Sequence, residues 1–202
     1  MGSGSILNLS AIPGDDTVVL RSERMKRVVK MVPEDLYVIL QAGFPLKELN
    51  HHLQEHNLFY PLAEGGYPGT VGGSVAVNLK GKSGERELQT RDYALALQVV
   101  DAKGEVLKVG ARTFKSVTGY DLPRIFTGSW GTLGFIAEVT LRLVPARKRK
   151  DYPGVTISSP RTIGKVESND PKTILSLRIK QALDPASVFV GFESLVPKQP
   201  AG

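Results

Sequence analysis

The 202-residue sequence has no cysteine and a single tryptophan, and aromatic residues make up 7% of the chain. Without thiols there is no thiol nucleophile, no iron–sulfur ligation, no Cys-type zinc site and no cysteinyl link to a flavin, so any redox chemistry rests on a bound cofactor. Long apolar runs are also missing. Stretches such as Ala94 to Val100 fall short of the ~20 residues that span a bilayer, and no apolar signal segment with a cleavage site opens the chain. A cytoplasmic protein with no transmembrane segment is therefore expected. The excess of positive charge is small, with 26 Lys and Arg against 20 Asp and Glu. Lacking a basic stripe or interleaved aromatics, it argues against nucleic acid and for an anionic ligand or an acidic partner. What is present is 41% hydrophobic and 23% charged residues, with 21 Gly and 13 Pro, a globular balance that excludes disorder and collagen. A chain of this length buries about 70% of its unfolded surface, enough for a core without disulfides or metals.

Three short β-branched runs, Thr17–Leu20, Arg27–Val32 and Leu36–Ala42, predict a small three-stranded sheet. Leu46, Leu49 and Leu53 recur at spacings of three and four behind Pro45, which predicts a short amphipathic helix. Gly65 to Gly73 is so poor in side chains that it reads as a lobe boundary rather than a packed element. Ala94–Val100, the turn Asp101–Gly104 and Glu105–Val109 read as a hairpin, and Phe135–Val144 alternates as a strand. The polar stretch from Ala146 reads as a surface excursion. Lys172–Leu183 reads as a helix stopped before Pro185, with a fraying tail beyond Phe192.

One motif misleads. Ala76–Ser83, with its Gly-Lys-Ser end, imitates a nucleotide-binding P-loop, and Leu95–Asp101 imitates the strand that ends in a magnesium-binding Asp. A P-loop needs a following helix inside a crossover of at least about 10–12 residues, and Gly84 to Tyr93 is too short to hold it. The glycines of Gly69–Ser74 and Gly128–Gly134 have another use: backbone without Cβ atoms can present amides to an anion or let a planar ligand lie flat. Two such passages suggest one extended, phosphate-containing ligand touched by both, while a plain lobe connection is the alternative for the first.

Together, Gly69–Asn78, Arg91-Asp-Tyr93, Thr118–Leu122 and Gly128–Leu143 resemble, in order and spacing, the FAD-binding domain of the vanillyl-alcohol oxidase (PCMH-type) flavoproteins. Within that family they resemble most the branch of bacterial glycolate oxidase, its smaller FAD-binding subunit above all, and D-lactate dehydrogenase. The likeness implies an α+β, two-lobed fold with FAD extended between the lobes: a small first lobe over 1–60, a larger mixed or antiparallel sheet lobe over 61–145, an excursion over 146–171 where relatives insert a cap domain, and a closing helix and tail over 172–202. It further implies diphosphate contacts from Gly2, Ser3, Gly4 and Ser5, a segment that reads equally as a cloning scar. Gly69, Thr70, Gly72 and Gly73 would touch diphosphate and ribityl oxygens, and Asn78 would lie near the flavin. Gly128, Gly131, Thr132 and Gly134 would line the second side, with the Ile136 backbone at the adenine.

The same likeness implies a 2-hydroxyacid oxidoreductase complex in which this chain holds FAD beside a catalytic flavin subunit and an iron–sulfur subunit, with membrane-surface contact through those partners. If Met1 is the natural start, the segment that precedes the diphosphate loop is absent, and together with the absent cap this keeps open a second reading, an assembly module with a degenerate flavin fold. Catalytic residues are not identifiable. His52 and His56 stand at metal-chelating spacing with no third ligand, which reads as a solvated helix face. Arg147–Lys150 reads as a linker or as a dock for an acidic partner surface.

Overall fold

The computed structural model describes residues 17–110, 123–158 and 171–191. In chain order its strands are β1 (Val28–Val32), β2 (Tyr37–Gln41), β3 (Leu58–Phe59), β4 (Lys80–Ser83), β5 (Arg86–Gln89), β6 (Ala94–Val100), β7 (Val106–Gly110), β8 (Phe135–Arg142), β9 (Val144–Pro145) and β10 (Thr156–Ser158). The helices are α1 (Leu46–Leu53), α2 (Val71–Ala76), α3 (Pro123–Phe126) and α4 (Pro171–Leu183). The elements segregate into an α+β arrangement with antiparallel sheets, as the sequence predicts.

The main sheet runs β1-β2-β8-β6-β7, every neighbour antiparallel. Strand β8 lies at its centre because its alternation puts Val139 and Leu141, both fully buried, on one face, opposite Leu40 and Val38 of β2 and beside β6. This face meets Leu46, Leu49 and Leu53 of α1, Val71 and Val75 of α2, and Phe59, Tyr60 and Leu62, forming the core. A smaller cluster of Val32, Tyr37 and Ile39 covers the other face near β2. The sheet thus draws strands from both sides of residue 60.

Several expectations change. Residues 17–20 form no strand, and Val18 is 86% exposed; β1 and β2 are a hairpin, and β2 carries it into the main sheet instead of building a separate three-stranded one. The Gly-rich stretch does pack, its end folding as α2. The hairpin of β6 and β7 forms as predicted: Asp101 Oδ1 accepts from the amides of Lys103 (2.8 Å) and Glu105 (2.9 Å), and Gly104 supplies the positive φ of 82°. The excursion is partly structural, since β10 pairs with β4 and Tyr152 packs edge-on against Phe59. Arg149 of the basic run lies over the Phe59 ring and 3.2 Å from Glu64. Helix α4 ends before Pro185 as expected, with Ile179 and Leu183 leaning on the core and Leu175 59% exposed. The tail beyond Phe192 lies outside the described residues.

Leu141→Ala removes a fully buried side chain from the centre of the main sheet and should cost about 2–5 kcal/mol in chemical denaturation, whereas Val106→Ala, at an exposed edge, should cost under about 0.5 kcal/mol. A pH effect follows from Asp184, which is 1% exposed. Burial opposes its ionisation, but the hydrogen bonds from Lys180 and from the amides of Phe189 and Val188 outweigh it and hold the carboxyl below its ordinary 3.8. A lowered folded value adds stability above pH 3.8 that is lost as pH falls below it. The stability gap between the parent protein and Asp184→Asn should therefore be largest near neutral pH and narrow on acidification, as read by denaturant titrations across that range.

Candidate functional site

Helix α2 starts where Thr70, in extended conformation, places Oγ1 to accept from the Gly73 amide at 3.1 Å. The chain arrives there by pairing with the segment after β2: Leu46 N–H donates to the Gly69 carbonyl (3.0 Å), Val71 N–H to that of Phe44 (2.9 Å) and Gly72 N–H to that of Ala42 (2.8 Å). With Ser74 N–H bonded to the Thr70 carbonyl, the amides from Val71 to Ser74 are all engaged inside the protein. The expected amide concavity is therefore not what this passage offers. Gly72 is bare because a Cβ there would stand 2.5 Å from the Ala42 Cβ, and a Cβ on Gly69 would meet the Tyr67 ring at 2.3 Å. Gly73 differs. Among the described residues its Cβ would meet only Thr70 Oγ1, at 3.2 Å, and Gly73 shares its half-buried position with Ala76 and the C-cap Val77, at i, i+3 and i+4, both of which also lean on the core.

The second glycine passage joins the far end of α2. Gly128 N–H donates to the Val75 carbonyl (3.0 Å) and Trp130 N–H to that of Ala76 (2.8 Å), so the two passages meet edge to edge in one continuous wall. Four residues with positive φ gather at the seam: Asn78 (47°), Gly128 (84°), Trp130 (56°) and Gly131 (77°). For a residue as bulky as tryptophan this conformation is a genuine outlier, and such strain concentrates at ligand sites. Asn78 is the hub: its Oδ1 accepts from the Arg91 amide (3.0 Å) and its Nδ2 donates to Gln89 Oε1 (3.3 Å). A Cβ on Gly131 would meet nothing within 4 Å among the described residues.

The remaining predicted residues serve the wall from behind. Thr132 is 1% exposed and its hydroxyl donates to the Ser129 carbonyl at 2.7 Å. Gly134 is bare because a Cβ would lie 2.5 Å from Val99 Cγ1. Ile136 is 8% exposed with its side chain in the core, which leaves its backbone as the part that a ligand could meet. Gly2, Ser3, Gly4 and Ser5, and the Thr118–Leu122 motif, lie outside the described residues.

Arg91 and Lys180 carry too weak a signal in the sequence to be singled out there, and Trp130 only enough to read as a cover for a flavin edge or, more often, as a packing residue. Arg91 has a buried Nε with no hydrogen-bond partner among the described residues; it belongs to one of the family-like motifs, but nothing in the motif assigns it a role. Trp130 has the composition of a packing residue, and only its backbone angle marks it. Lys180, 8% exposed, bonds the Thr132 carbonyl at 2.7 Å; its i,i+4 spacing from Asp184 is the available signal. Burial pushes the phenol of Tyr67 up to about 12 and raises those of Tyr60 and Tyr93 as well. All three therefore keep their protons at neutral pH.

The P-loop imitation ends differently from a nucleotide site. Lys82 lies on β4 opposite Glu87 and Thr156, and β4 turns through Gly84 directly into β5 rather than into a helix. Among the described residues no helix is long and apolar enough to cross a membrane.

Two glycine passages joined by backbone bonds, with Arg91 tied to Asn78 through its main-chain amide and carrying a buried Nε–H without a partner among the described residues, fit an extended ligand with a flat ring and an anionic portion, the chemistry of a flavin dinucleotide. Comparison with known proteins agrees. The chain is 45% identical over 120 residues to "D-lactate dehydrogenase [cytochrome], mitochondrial" of Arabidopsis thaliana, covering 59% of this chain and 21% of that protein. It is 34% identical over 150 residues to "Glycolate oxidase subunit GlcD" of Bacillus subtilis, covering 74% and 32%. It is 31% identical over 144 residues to "D-2-hydroxyglutarate dehydrogenase" of Stutzerimonas stutzeri, covering 70% and 31%. The chain thus spans between a fifth and a third of the length of these curated relatives. Residues 1–110, more than half of the chain, match the family described as "FAD binding domain", and the protein is accordingly a member of this PCMH-type family, whose cofactor is FAD.

Proposed function

We propose that this chain is the FAD-holding part of a 2-hydroxyacid oxidoreductase of the glycolate oxidase and D-lactate dehydrogenase kind. The observation that carries the reading is the seam where Gly128 and Trp130 bond to the last carbonyls of α2, because it turns two distant glycine passages into a single bare surface. When bound, FAD supplies acceptance of a hydride from the hydroxyl-bearing carbon of the substrate. The chain's own residues bind and orient. Gly73 and Gly131 let a planar ring approach the backbone, Asn78 and the Thr70 cap fix the surface, and the Arg91 Nε–H donates to an anionic oxygen. Gly69 and Gly72 set the course of the wall, and Gly2–Ser5 supply further diphosphate donors on this reading. Gly134, Thr132 and Ile136 hold the second passage against the sheet.

No base, substrate clamp or electron relay is assigned to this chain. A catalytic flavin subunit and an iron–sulfur subunit or a quinone complete the reaction on this reading; that one relative is a subunit of glycolate oxidase supports a multi-subunit enzyme. Such a complex places the chain in the cytoplasm, meeting a membrane only through its partners.

The test is flavin uptake. The full chain incubated with FAD and then desalted should retain visible flavin absorbance; a colourless sample would instead favour the assembly-module reading. Gly73→Val should weaken FAD binding about tenfold or more, since a side chain there obstructs close approach at a cost of about 1–3 kcal/mol, with only a small loss of thermal stability. Gly72→Val should instead lose folding stability, because its side chain is driven into Ala42. Equal FAD affinity in Gly73→Val and parent, by fluorescence titration, would move the ligand off this face.

A further inference from the structure

The ammonium of Lys180, on α4, has three N–H groups and three acceptors: the Thr132 carbonyl (2.7 Å), the Phe189 carbonyl (2.8 Å) and the Asp184 carboxylate. Its hydrogen-bonding capacity is filled. Asp184 in turn accepts from the amides of Val188 (2.8 Å) and Phe189 (2.9 Å). One buried cation thus ties together α4, the turn that follows it, and the residue immediately after the left-handed pair Trp130 and Gly131.

The beginning of that passage is fixed by Gly128 and Trp130 on the carbonyls of α2; its end is fixed by Lys180. Thr132 also closes a local turn, with both its amide and its hydroxyl on the Ser129 carbonyl. The bend with positive φ is therefore clamped at both ends, while a Cβ at Gly131 in its middle would meet nothing within 4 Å among the described residues. A buried ion pair adds little net stability compared with apolar packing of equal volume, but loss of one partner strands the other, so such a pair enforces one arrangement rather than strengthening many.

We infer that Lys180 is a positioning residue for the flavin wall, and that docking of α4 and occupation of the wall by FAD are thermodynamically coupled. This rests on the FAD reading given above. A ligand lying against Gly131 stabilises the 128–132 bend, hence the carbonyl that Lys180 holds, hence the Asp184 turn; by reciprocity, a docked α4 raises the affinity for FAD.

Amide hydrogen exchange on the full chain, with and without FAD, tests this. FAD should slow exchange at Val188 and Phe189, at the far side of the Lys180 network, about fivefold or more. In the absence of flavin, Lys180→Met should speed exchange at Gly128 and Trp130 while leaving Leu97 and Val139 of the main sheet unchanged. With flavin, it should weaken FAD binding about fivefold or more and alter the visible circular dichroism of the bound flavin. Unchanged exchange at Gly128 and Trp130 in the variant overturns the positioning role without reference to flavin. FAD that binds the parent protein but leaves Val188 and Phe189 unaffected overturns the coupling while the FAD reading stands. A parent protein that takes up no FAD overturns both the reading and the coupling. If Lys180→Met does not fold, Lys180→Arg, which keeps the charge but not the three-donor ammonium, takes its place in the exchange measurement at Gly128 and Trp130.

Discussion

The close approach of Gly72 to Ala42 sets the position of α2 and of the glycine passage bonded to its end. The Gly72 amide donates to the Ala42 carbonyl at 2.8 Å, and a Cβ would stand only 2.5 Å from that of Ala42. Helix α2 is therefore fastened to the end of β2 backbone against backbone, with no side chain between to act as a spacer. Once that contact is made, the i, i+3 and i+4 geometry of the helix decides which of its small residues stay half-buried and which carbonyls at its C-terminal end remain to be bonded. Gly73, Ala76 and Val77 are the half-buried residues of this turn, Ala76 and Val77 touching the core, and the carbonyls of Val75 and Ala76 receive Gly128 and Trp130. The wall is a consequence of one tight helix-on-strand contact.

The second consequence is conformational strain in a small area. A passage that must deliver two amides to a helix end and then re-enter the sheet as β8 within a few residues has little room for ordinary backbone angles. The structure resolves this with Gly128 and Gly131 at positive φ, where glycine loses nothing, and with Trp130 at 56°, where a large side chain is costly. Asn78 adopts a positive φ on the other side of the seam but tolerates it, because its short amide bonds to neighbouring backbone. The cost is held in place by surrounding hydrogen bonds, those of Asn78 to Arg91 and of Lys180 to Thr132 in particular.

Much of the fold is legible in the sequence because the relevant signals are local. The leucine spacing of α1, the Asp-Gly chemistry of the β6–β7 turn and the alternation of β8 each specify an element without reference to anything distant. The departures are equally instructive. Thr17–Leu20 has the composition of a strand but lies exposed, since β-propensity reflects packing against a neighbour, which the sequence alone does not provide. Gly65–Gly73 has too few side chains to predict a packed element, yet α2 forms at its end because the Thr70 cap and the contact with Ala42 outweigh the low helix propensity of two glycines. At the site, the positions of the glycines are legible but their separate duties are not. Gly72 and Gly134 are bare for packing, Gly73 has only the Thr70 hydroxyl near its Cβ position, and Gly131 meets nothing among the described residues; the neighbours that separate Gly72 and Gly134 from Gly131 are remote in sequence.

The engagement of every amide from Val71 to Ser74 has a consequence for how a dinucleotide would be held. A surface whose donors are already spent on its own fold offers contact area and shape but little charge. Recognition of a diphosphate is then left to groups off this surface, and the buried Arg91 Nε, without an acceptor among the described residues, is a donor of the right sign beside the Asn78 hub. On the proposed FAD reading, an arginine whose main-chain amide is gripped by Asn78 would join the charged end of the ligand to the seam that shapes the flat end. On the FAD reading the two functions are separated in space but share one residue, Asn78, so a change there would disturb ring approach and anion binding together.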